Sequence, residues 1–296
     1  MSPRSFLFVP GDSSRKMEKA LAGNAHALVL DLEDSVAPQN KDAARQMVRA
    51  FLLGHRDRSR QQAWVRINPL DSGFALPDLA QVVQGTPDGV LLPKCTSGDD
   101  IVTLSRYLDA LEVREGVAAG SIKIAAVATE TATAMFQLGS YRGASPRLYG
   151  LTWGAEDLAT SLGATSNRAD DGAYESSYKL ARSLCLMGAK SAQVHAIDTV
   201  QPDFRDQEAL RHEVRRARLD GFTAKFAIHP DQVATINEGF MPTESEIAHA
   251  KAVIAAFEAS GGAGAAQVDG KMVDKPHLTQ AQQILEAAGL GNSGAS

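Results

Sequence analysis

The stretch Ala27–Asp34, ALVLDLED, sets the pattern of the whole sequence, because a short apolar run leads directly into a group of acidic residues. Apolar and polar residues do not alternate within the run, which is typical of a strand covered on both faces in a parallel sheet. Seven further runs have a similar length and character. They are Ser5–Val9, Ala63–Asn68, Gly89–Pro93, Ile122–Ala128, Leu148–Trp153, Ala192–Ile197 and Ala224–Ile228.

Amphipathic segments separate these runs and predict helices. Eight strand candidates alternating with helices over about 250 residues are typical of a (β/α)8 TIM barrel. A doubly wound open sheet is the alternative, but its first strand would lead into a glycine-rich phosphate loop. Here the first run is followed by Pro10-Gly11-Asp12, so we predict an α/β fold of the TIM-barrel type. The clearest helical segments are Ser13–Ala22, Lys41–Leu52, Tyr174–Met187 and Gln207–Leu219.

The chain is longer than a barrel needs. We expect a catalytic barrel over residues 1–242, a C-terminal helical arm over 243–288 and a flexible tail over 289–296. The arm would begin with a long helix at Glu244–Ala259 and continue, after a joint of small residues at 261–264, into Lys271–Leu285. Such an arm can serve as a lid or reach into a neighbouring subunit.

The composition excludes several classes of protein. With 30 basic and 35 acidic residues, the net charge of −5 disfavours a nucleic-acid or anionic-membrane partner. Cys95 and Cys185 form no C-x-x-C pattern, so neither a disulfide framework nor a zinc site is indicated. The N-terminal apolar run is too short for a signal peptide, and no stretch approaches the ~20 apolar residues of a membrane helix. We therefore expect a soluble, cytoplasmic protein.

Acidic residues follow several of the predicted strands. Asp31 and Glu33 come at the end of the second run, Glu130 follows the fifth and Asp157 follows the sixth. The carboxyl ends of barrel strands meet at one mouth, where active sites of this fold lie. Carboxylates gathered there repel one another and raise each other's pKa unless a cation is present. An oxygen-only ligand set suits Mg²⁺, with Mn²⁺ as the alternative.

Other polar residues at the strand ends have two interpretations each. Arg66 carries a planar fork that can hold a substrate carboxylate, or it can form a buried salt bridge to the acids of the second strand. Lys94 is a Schiff-base candidate or a structural partner of the carboxylates, and the many acids favour the second role. We expect His195 to be a core histidine. Asp34 and Glu156 either join the carboxylates of the mouth or serve as helix caps and surface charges.

The sequence resembles the citrate lyase β-subunit-like proteins of the HpcH/HpaI aldolase superfamily, a group that includes malyl-CoA and citramalyl-CoA lyases. The matching motifs run in order along nearly the whole chain. They are RSFLFVPGDSSRKMEKA, ALVLDLEDSVAPQNKDAAR, VRIN, LLPK, ATETATA, WGAEDLATSLGA, FAIHPDQV and GKMVDKPHLTQAQ.

The resemblance implies a Mg²⁺-dependent barrel enzyme that cleaves or forms the carbon–carbon bond between a 2-oxo acid and the acyl carbon next to a thioester. It implies that Glu130 and Asp157 ligate the metal, and that Asp31 and Glu33 surround the metal-bound waters. The 2-oxo acid and a CoA thioester are the implied substrates. Malyl-CoA and citramalyl-CoA are the examples we consider, giving glyoxylate or a 2-oxo acid plus an acyl-CoA.

The resemblance also assigns the substrate contacts and a proton-transfer residue. Arg66 would hold the carboxylate of the oxo acid, helped by the backbone amides at Gly154 and Ala155. Asp274, in the motif GKMVD of the arm, would act in proton transfer at the site of a neighbouring subunit. Because Asp274 precedes Lys275-Pro276, a helix N-cap is the alternative role for it.

Three points stay open at the level of sequence. We expect a homo-oligomer, a trimer or hexamer, whose arm reaches the next subunit. The basic residues Arg4, Arg15, Lys16 and Lys19 are candidates to meet the CoA phosphates. The alternatives to a free-standing CoA-thioester lyase are a citryl-thioester lyase subunit within a complex, a catalytically idle paralogue that binds CoA or an oxo acid, and a pyruvate aldolase that does not use CoA.

Overall fold

The computed structural model describes residues 2–259 and 264–291, and its main feature is a closed barrel of eight parallel strands. Each strand pairs with the next along the chain, and the last pairs with the first, which confirms the predicted TIM-barrel fold. The strands are β1 (Ser5–Pro10), β2 (Ala27–Asp31), β3 (Gln62–Arg66), β4 (Gly89–Leu92), β5 (Lys123–Val127), β6 (Leu148–Thr152), β7 (His195–Asp198) and β8 (Ala224–Ala227).

Large side chains fill the interior of the barrel. Phe6, Trp64 and Phe226 are almost fully buried there, with the Phe6 ring centroid 5.8 Å from that of Trp64 and 5.5 Å from that of Phe226. Successive side chains of a strand point to opposite faces, so Lys225, beside Phe226, points out of the barrel toward Glu213. Both faces of the strands are therefore covered, which is why their sequences read as continuous apolar runs.

Helices lie between successive barrel strands along the chain, and further helices follow the last strand. After β5, in place of an α-helix, the chain forms two short 3-10 turns at Ala134–Phe136 and Leu138–Tyr141. The helices are α1 (Ser14–Leu21), α2 (Lys41–Gly54), α3 (Ala75–Val82), α4 (Gly98–Glu115), α5 (Ala155–Leu162), α6 (Ser176–Ser191), α7 (Gln207–Asp220), α8 (Val233–Gly239), α9 (Glu244–Ala259) and α10 (Lys275–Ala287). Among residues 2–259 and 264–291, no helix is both long and apolar enough to cross a bilayer.

The chain divides into two compact units, Pro3–Asn237 and a second unit that holds Ser2 and the described residues from Glu238 onward. The boundary falls five residues before the predicted start of the arm. The second unit has its own apolar core, which includes Val253, Phe257 and Val273.

The second unit is not wholly helical, which corrects the predicted helical arm. Between α9 and α10 lies an antiparallel hairpin of β9 (Ala265–Val268) and β10 (Lys271–Asp274). Its two turn residues, Asp269 and Gly270, both have positive φ, at 49° and 76°. An Asp-Gly pair favours this two-residue hairpin turn. Residues 261–263 of the predicted joint and residues 292–296 of the predicted tail lie outside the described residues.

Candidate functional site

A cavity of about 510 Å³ opens at the carboxyl ends of the barrel strands. It brings together candidate site residues from the ends of four strands. Asp31 and Arg66 end β2 and β3, Glu130 follows β5, and Asp157 lies in the first turn of α5. The predicted site residues that line the cavity are Asp31, Arg66, Glu130, Gly154, Ala155 and Asp157.

Arg66 is held by the acids of β2 and the segment after it. Its Nε and Nη2 each donate a hydrogen bond of 2.7 Å to one oxygen of Asp31, and its Nη1 lies 2.9 Å from Glu33 Oε2. Burial alone would raise the pKa of Asp31, but the Arg66 hydrogen bonds hold it below its ordinary value. The salt bridge considered as the alternative for Arg66 is thus present. Asp31 takes two of the five guanidinium N–H groups and Glu33 faces a third, so two remain for a ligand in the cavity.

Lys94 connects the acids on the other side of the cavity. Its Nζ donates to Glu33 Oε1 at 2.6 Å and lies 3.4 Å from Asp157 Oδ1, while its backbone N–H donates to Glu130 Oε2. Burial would lower the pKa of Lys94, but the Glu33 carboxylate raises it above its ordinary value. A lysine that stays protonated cannot form a Schiff base, so the structural role expected for Lys94 is the one its contacts support.

Glu130 is the carboxylate that most needs a cation. It is 5% exposed, and burial, followed by the charges of Asp157 and Glu33, raises its pKa to about 8. No group of three or more His, Cys, Asp or Glu residues suited to a metal occurs within the described ranges. Two carboxylates nevertheless fit Mg²⁺, which commonly takes one or two from the protein and completes its octahedron with water and substrate oxygens. The residues present therefore fit the implied metal.

The two predicted amide donors differ in their environment. Gly154 N–H donates to Thr129 Oγ1 at 3.1 Å, so this amide is already engaged. Ala155 is the first residue of α5, where backbone N–H groups point out of the helix end and favour an anion. Of the two predicted amides, the geometry favours the N–H group of Ala155 as the donor to a substrate carboxylate.

Asp198, which ends β7, is a residue of this site to which the sequence assigns no role. Asp198 is 3% exposed and accepts hydrogen bonds from Trp153 Nε1 at 2.7 Å and Arg182 Nε at 3.2 Å. Lys225 Nζ lies 3.5 Å from its other oxygen. Because Trp153 lines the mouth cavity, this buried carboxylate fixes one wall of the site. No sequence pattern signals these contacts, since the four residues come from separate parts of the sequence.

A second cavity of about 620 Å³ carries the basic residues Arg15, Lys16 and Lys19 of α1. Phe8 and Ile228 line both cavities, so the two share a wall. Arg4, the fourth basic candidate, directly precedes β1 at the amino end of that strand.

His195 and Asp274 lie in different settings. His195 begins β7, at the amino end of the strand, with Nδ1 3.2 Å from Thr223 Oγ1 and its ring against Tyr149, which supports its interpretation as a core histidine. Asp274 belongs to the second unit, where it ends β10 and is the N-cap of α10. The helix-cap role considered for Asp274 is therefore present, and its catalytic role stays a prediction.

A parallel eight-stranded barrel with carboxylates and an arginine at the carboxyl ends of its strands is the architecture of a barrel enzyme. A family model described as HpcH/HpaI aldolase/citrate lyase matches residues 4–230. The chain belongs to this family, which confirms the resemblance seen in the motifs.

Individual relatives match over almost the whole chain. Citrate lyase subunit beta of Haemophilus influenzae is 35% identical, with 97% of both chains covered. (3S)-malyl-CoA thioesterase of Cereibacter sphaeroides is 34% identical, covering 96% of this chain and 94% of the relative, and mitochondrial citramalyl-CoA lyase of Rattus norvegicus is 34% identical, covering 96% and 86%. The crystal structure of the CitE protein of Mycobacterium tuberculosis with magnesium, acetoacetate and coenzyme A has a TM-score of 0.80 and 33% identity, covering 97% of this chain and 98% of that one.

Proposed function

We propose that this chain is a Mg²⁺-dependent carbon–carbon lyase that cleaves or forms a 3-hydroxy-3-carboxyacyl-CoA, such as citramalyl-CoA or malyl-CoA. The products of cleavage are a 2-oxo acid or glyoxylate and an acyl-CoA. The observation that carries the proposal is the meeting of Glu130, Asp157 and Arg66 in one cavity at the barrel mouth. The names of the relatives support it, since they include a citramalyl-CoA lyase and citrate lyase beta subunits.

Glu130 and Asp157 would hold the metal ion. When bound, Mg²⁺ supplies a Lewis acid that polarises the 2-oxo oxygen and stabilises the negative charge developing there. The magnesium-containing structures of the CitE relative support this assignment. Mn²⁺ would satisfy the same oxygen ligands.

Arg66 and Ala155 would bind the carboxylate of the oxo acid. Asp31 fixes the plane of the Arg66 guanidinium through two hydrogen bonds, so the remaining N–H groups are held in place before the substrate arrives. The N–H group at the start of α5 would add a second contact to the same anion. Together these groups would orient the oxo acid for attack at its 2-oxo carbon.

The second cavity would receive the CoA part of the substrate. Arg15, Lys16 and Lys19 offer positive charge to its phosphates, and the wall shared with the mouth cavity would let the acyl end reach the oxo acid. The CoA-bound structure of the CitE relative supports CoA as the ligand class.

Asp274 would move the proton at the acyl carbon next to the thioester. Its interaction with His277 holds its pKa below the ordinary value, so it is a carboxylate at neutral pH. It would accept the α-carbon proton during condensation and return it during cleavage. We further propose that the chain forms a trimer or hexamer, in which the second unit brings Asp274 to the site of a neighbouring subunit.

The experiment is to incubate the purified chain with malyl-, citramalyl- and citryl-CoA, each with Mg²⁺ and with EDTA, and to measure the oxo acid released. We expect Mg²⁺-dependent cleavage of at least one thioester, loss of cleavage in Glu130→Gln, and near-normal rates in the control Glu115→Gln, since Glu115 ends α4 and lines neither cavity. If Mg²⁺ with the wild-type chain left every thioester intact, the free-standing lyase would be excluded. Binding of CoA or an oxo acid without turnover would then favour the idle paralogue.

A further inference from the structure

Lys94 has an unusual backbone for a residue with a long side chain. It follows β4 and Pro93 with φ at +50°, in the left-handed region that disfavours residues other than glycine. Such a conformation persists where the surrounding contacts determine it, and these outliers cluster at functional sites. Here the backbone N–H of Lys94 donates to Glu130 while its Nζ reaches Glu33 and Asp157.

One residue therefore contacts both proposed metal ligands in two different ways. The backbone N–H of Lys94 orients the Glu130 carboxylate, and this contact does not depend on the Lys94 side chain. The ammonium lies 3.4 Å from Asp157 Oδ1, close enough for a direct electrostatic attraction. A cation bound by Asp157 and Glu130 would repel this ammonium, since both charges are positive and the cavity partly excludes water.

We propose that Lys94 is a tethered competitor of the metal, whose ammonium compensates the Asp157 carboxylate until a divalent cation replaces it there. The inference rests on the proposed function, which assigns Glu130 and Asp157 to the metal. Lys94 thus acts through the ligands as a positioning residue, and it weakens divalent-cation binding.

The other contacts of the site would survive loss of the Lys94 charge. Glu33 keeps Arg66, whose Nη1 lies 2.9 Å from its second oxygen. Arg66 keeps its paired hydrogen bonds to Asp31. A substitution by glutamine retains a long polar side chain and the backbone N–H, so it removes the charge with little other change.

The direct test is calorimetric titration of the full chain with MgCl₂ alone, without any thioester. We expect Lys94→Gln to bind Mg²⁺ about tenfold more tightly than the wild type, because a nearby positive charge is gone. Lys94→Arg keeps the charge and is expected to bind within about twofold of the wild type. Equal or weaker Mg²⁺ binding by Lys94→Gln overturns the proposal.

Thermal unfolding separates this role from simple packing. We expect the Tm of Lys94→Gln to fall in EDTA and to recover in excess Mg²⁺, so that Mg²⁺ raises its Tm more than it raises that of the wild type. A packing role would lower the Tm equally in both conditions and would overturn the proposal. If the glutamine variant does not fold, Lys94→Gly relieves the left-handed backbone, removes the same charge and carries the same expectation.

The wild-type titration keeps the two proposals distinguishable. If the wild-type chain bound no Mg²⁺, the metal-dependent function and the competitor role would both fail. If it bound Mg²⁺ and Lys94→Gln bound no more tightly, only the role of Lys94 would fail.

Discussion

Asp31 and Arg66 are register partners at the ends of β2 and β3, and two hydrogen bonds of 2.7 Å join their side chains. Because the two residues are paired in the sheet, the backbone already places their side chains next to each other. Two parallel hydrogen bonds to one carboxylate fix the plane of the guanidinium and also balance its charge. The rigidity of the proposed oxo-acid contact follows from this neighbouring-strand pair.

Removing the charge of Asp31 should weaken both folding and substrate binding. Asp31 is 2% exposed, so Asp31→Asn leaves a buried guanidinium with a poorer partner and is expected to cost about 3 kcal/mol of unfolding free energy. The KM for the oxo acid in the condensation direction should also rise. Urea denaturation and steady-state kinetics measure the two effects. Asp34→Asn, whose side chain is 62% exposed, should change stability by less than about 0.5 kcal/mol. A similar loss in both variants would show that burial of the Asp31–Arg66 pair does not contribute to stability.

Asp198 should make stability depend on pH. Burial alone would raise its pKa, but Lys225 and Arg182 hold the pKa below its ordinary value. The stabilisation from Asp198 is then present above the unfolded-state pKa of about 4 and is lost as the pH falls through the lower folded-state value. The stability difference between wild type and Asp198→Asn should be largest near neutral pH and shrink below about pH 4.

Urea unfolding across that pH range checks the expectation for Asp198. The matched control is Asp220→Asn, since Asp220 binds the same Arg182 at 2.6 Å but its side chain is 35% exposed. Its effect should be smaller at every pH. A stability difference for Asp198→Asn that stayed constant down to acid pH would show that the charge of this carboxylate is not what stabilises the network.

Gly154 should be needed for the position of Glu130. Its φ of −126° suits any residue, but a Cβ at this position would lie 3.0 Å from Glu130 Cγ. We expect Gly154→Ala to displace the carboxylate and weaken Mg²⁺ binding and turnover by at least about tenfold. Gly139→Ala, where a Cβ meets open space, is the control. Unchanged Mg²⁺ affinity in Gly154→Ala would mean that the Glu130 carboxylate is not a metal ligand or that it adjusts without loss.

Asp274 combines a helix cap with the proposed proton transfer, and one substitution separates them. Asparagine caps helices about as well as aspartate but cannot exchange a proton in this way. Asp274→Asn should keep the wild-type Tm and lose turnover, whereas Asp274→Ala should lose turnover and also lower the Tm. Kinetics and thermal unfolding of the two variants decide the matter. Full turnover in Asp274→Asn would leave Asp274 as a cap alone.

The barrel fold and the residues that line its mouth could be predicted, because both depend on local sequence patterns. A strand buried on both faces has to be apolar throughout, so Ala27–Asp31 and its equivalents stand out in the sequence. The carboxyl ends of parallel strands lie together at one end of the barrel. The meeting of Glu130 and Asp157 in one cavity could therefore be predicted without knowing any of their contacts.

The pairings inside the site depend on tertiary contacts and could not be predicted. Nothing local indicates the left-handed backbone of Lys94, or that its Nζ reaches a carboxylate 61 positions earlier in the chain. The hairpin of the second unit was missed for a different reason. Its first strand, Ala265–Val268, consists mostly of small residues and is largely exposed. The Asp269-Gly270 turn was therefore the one clear signal for the hairpin.

The most direct test of carbon–carbon cleavage is the product balance on the thioester that the chain turns over fastest. A lyase releases one oxo acid and one acyl-CoA for each substrate molecule consumed, and it releases no free CoA thiol. Hydrolysis, the activity named for the Cereibacter sphaeroides relative, would instead release free CoA and the intact hydroxy acid. We predict equal amounts of oxo acid and acyl-CoA, dependent on Mg²⁺ and absent in Asp157→Asn. Release of free CoA without any oxo acid would contradict the proposed function.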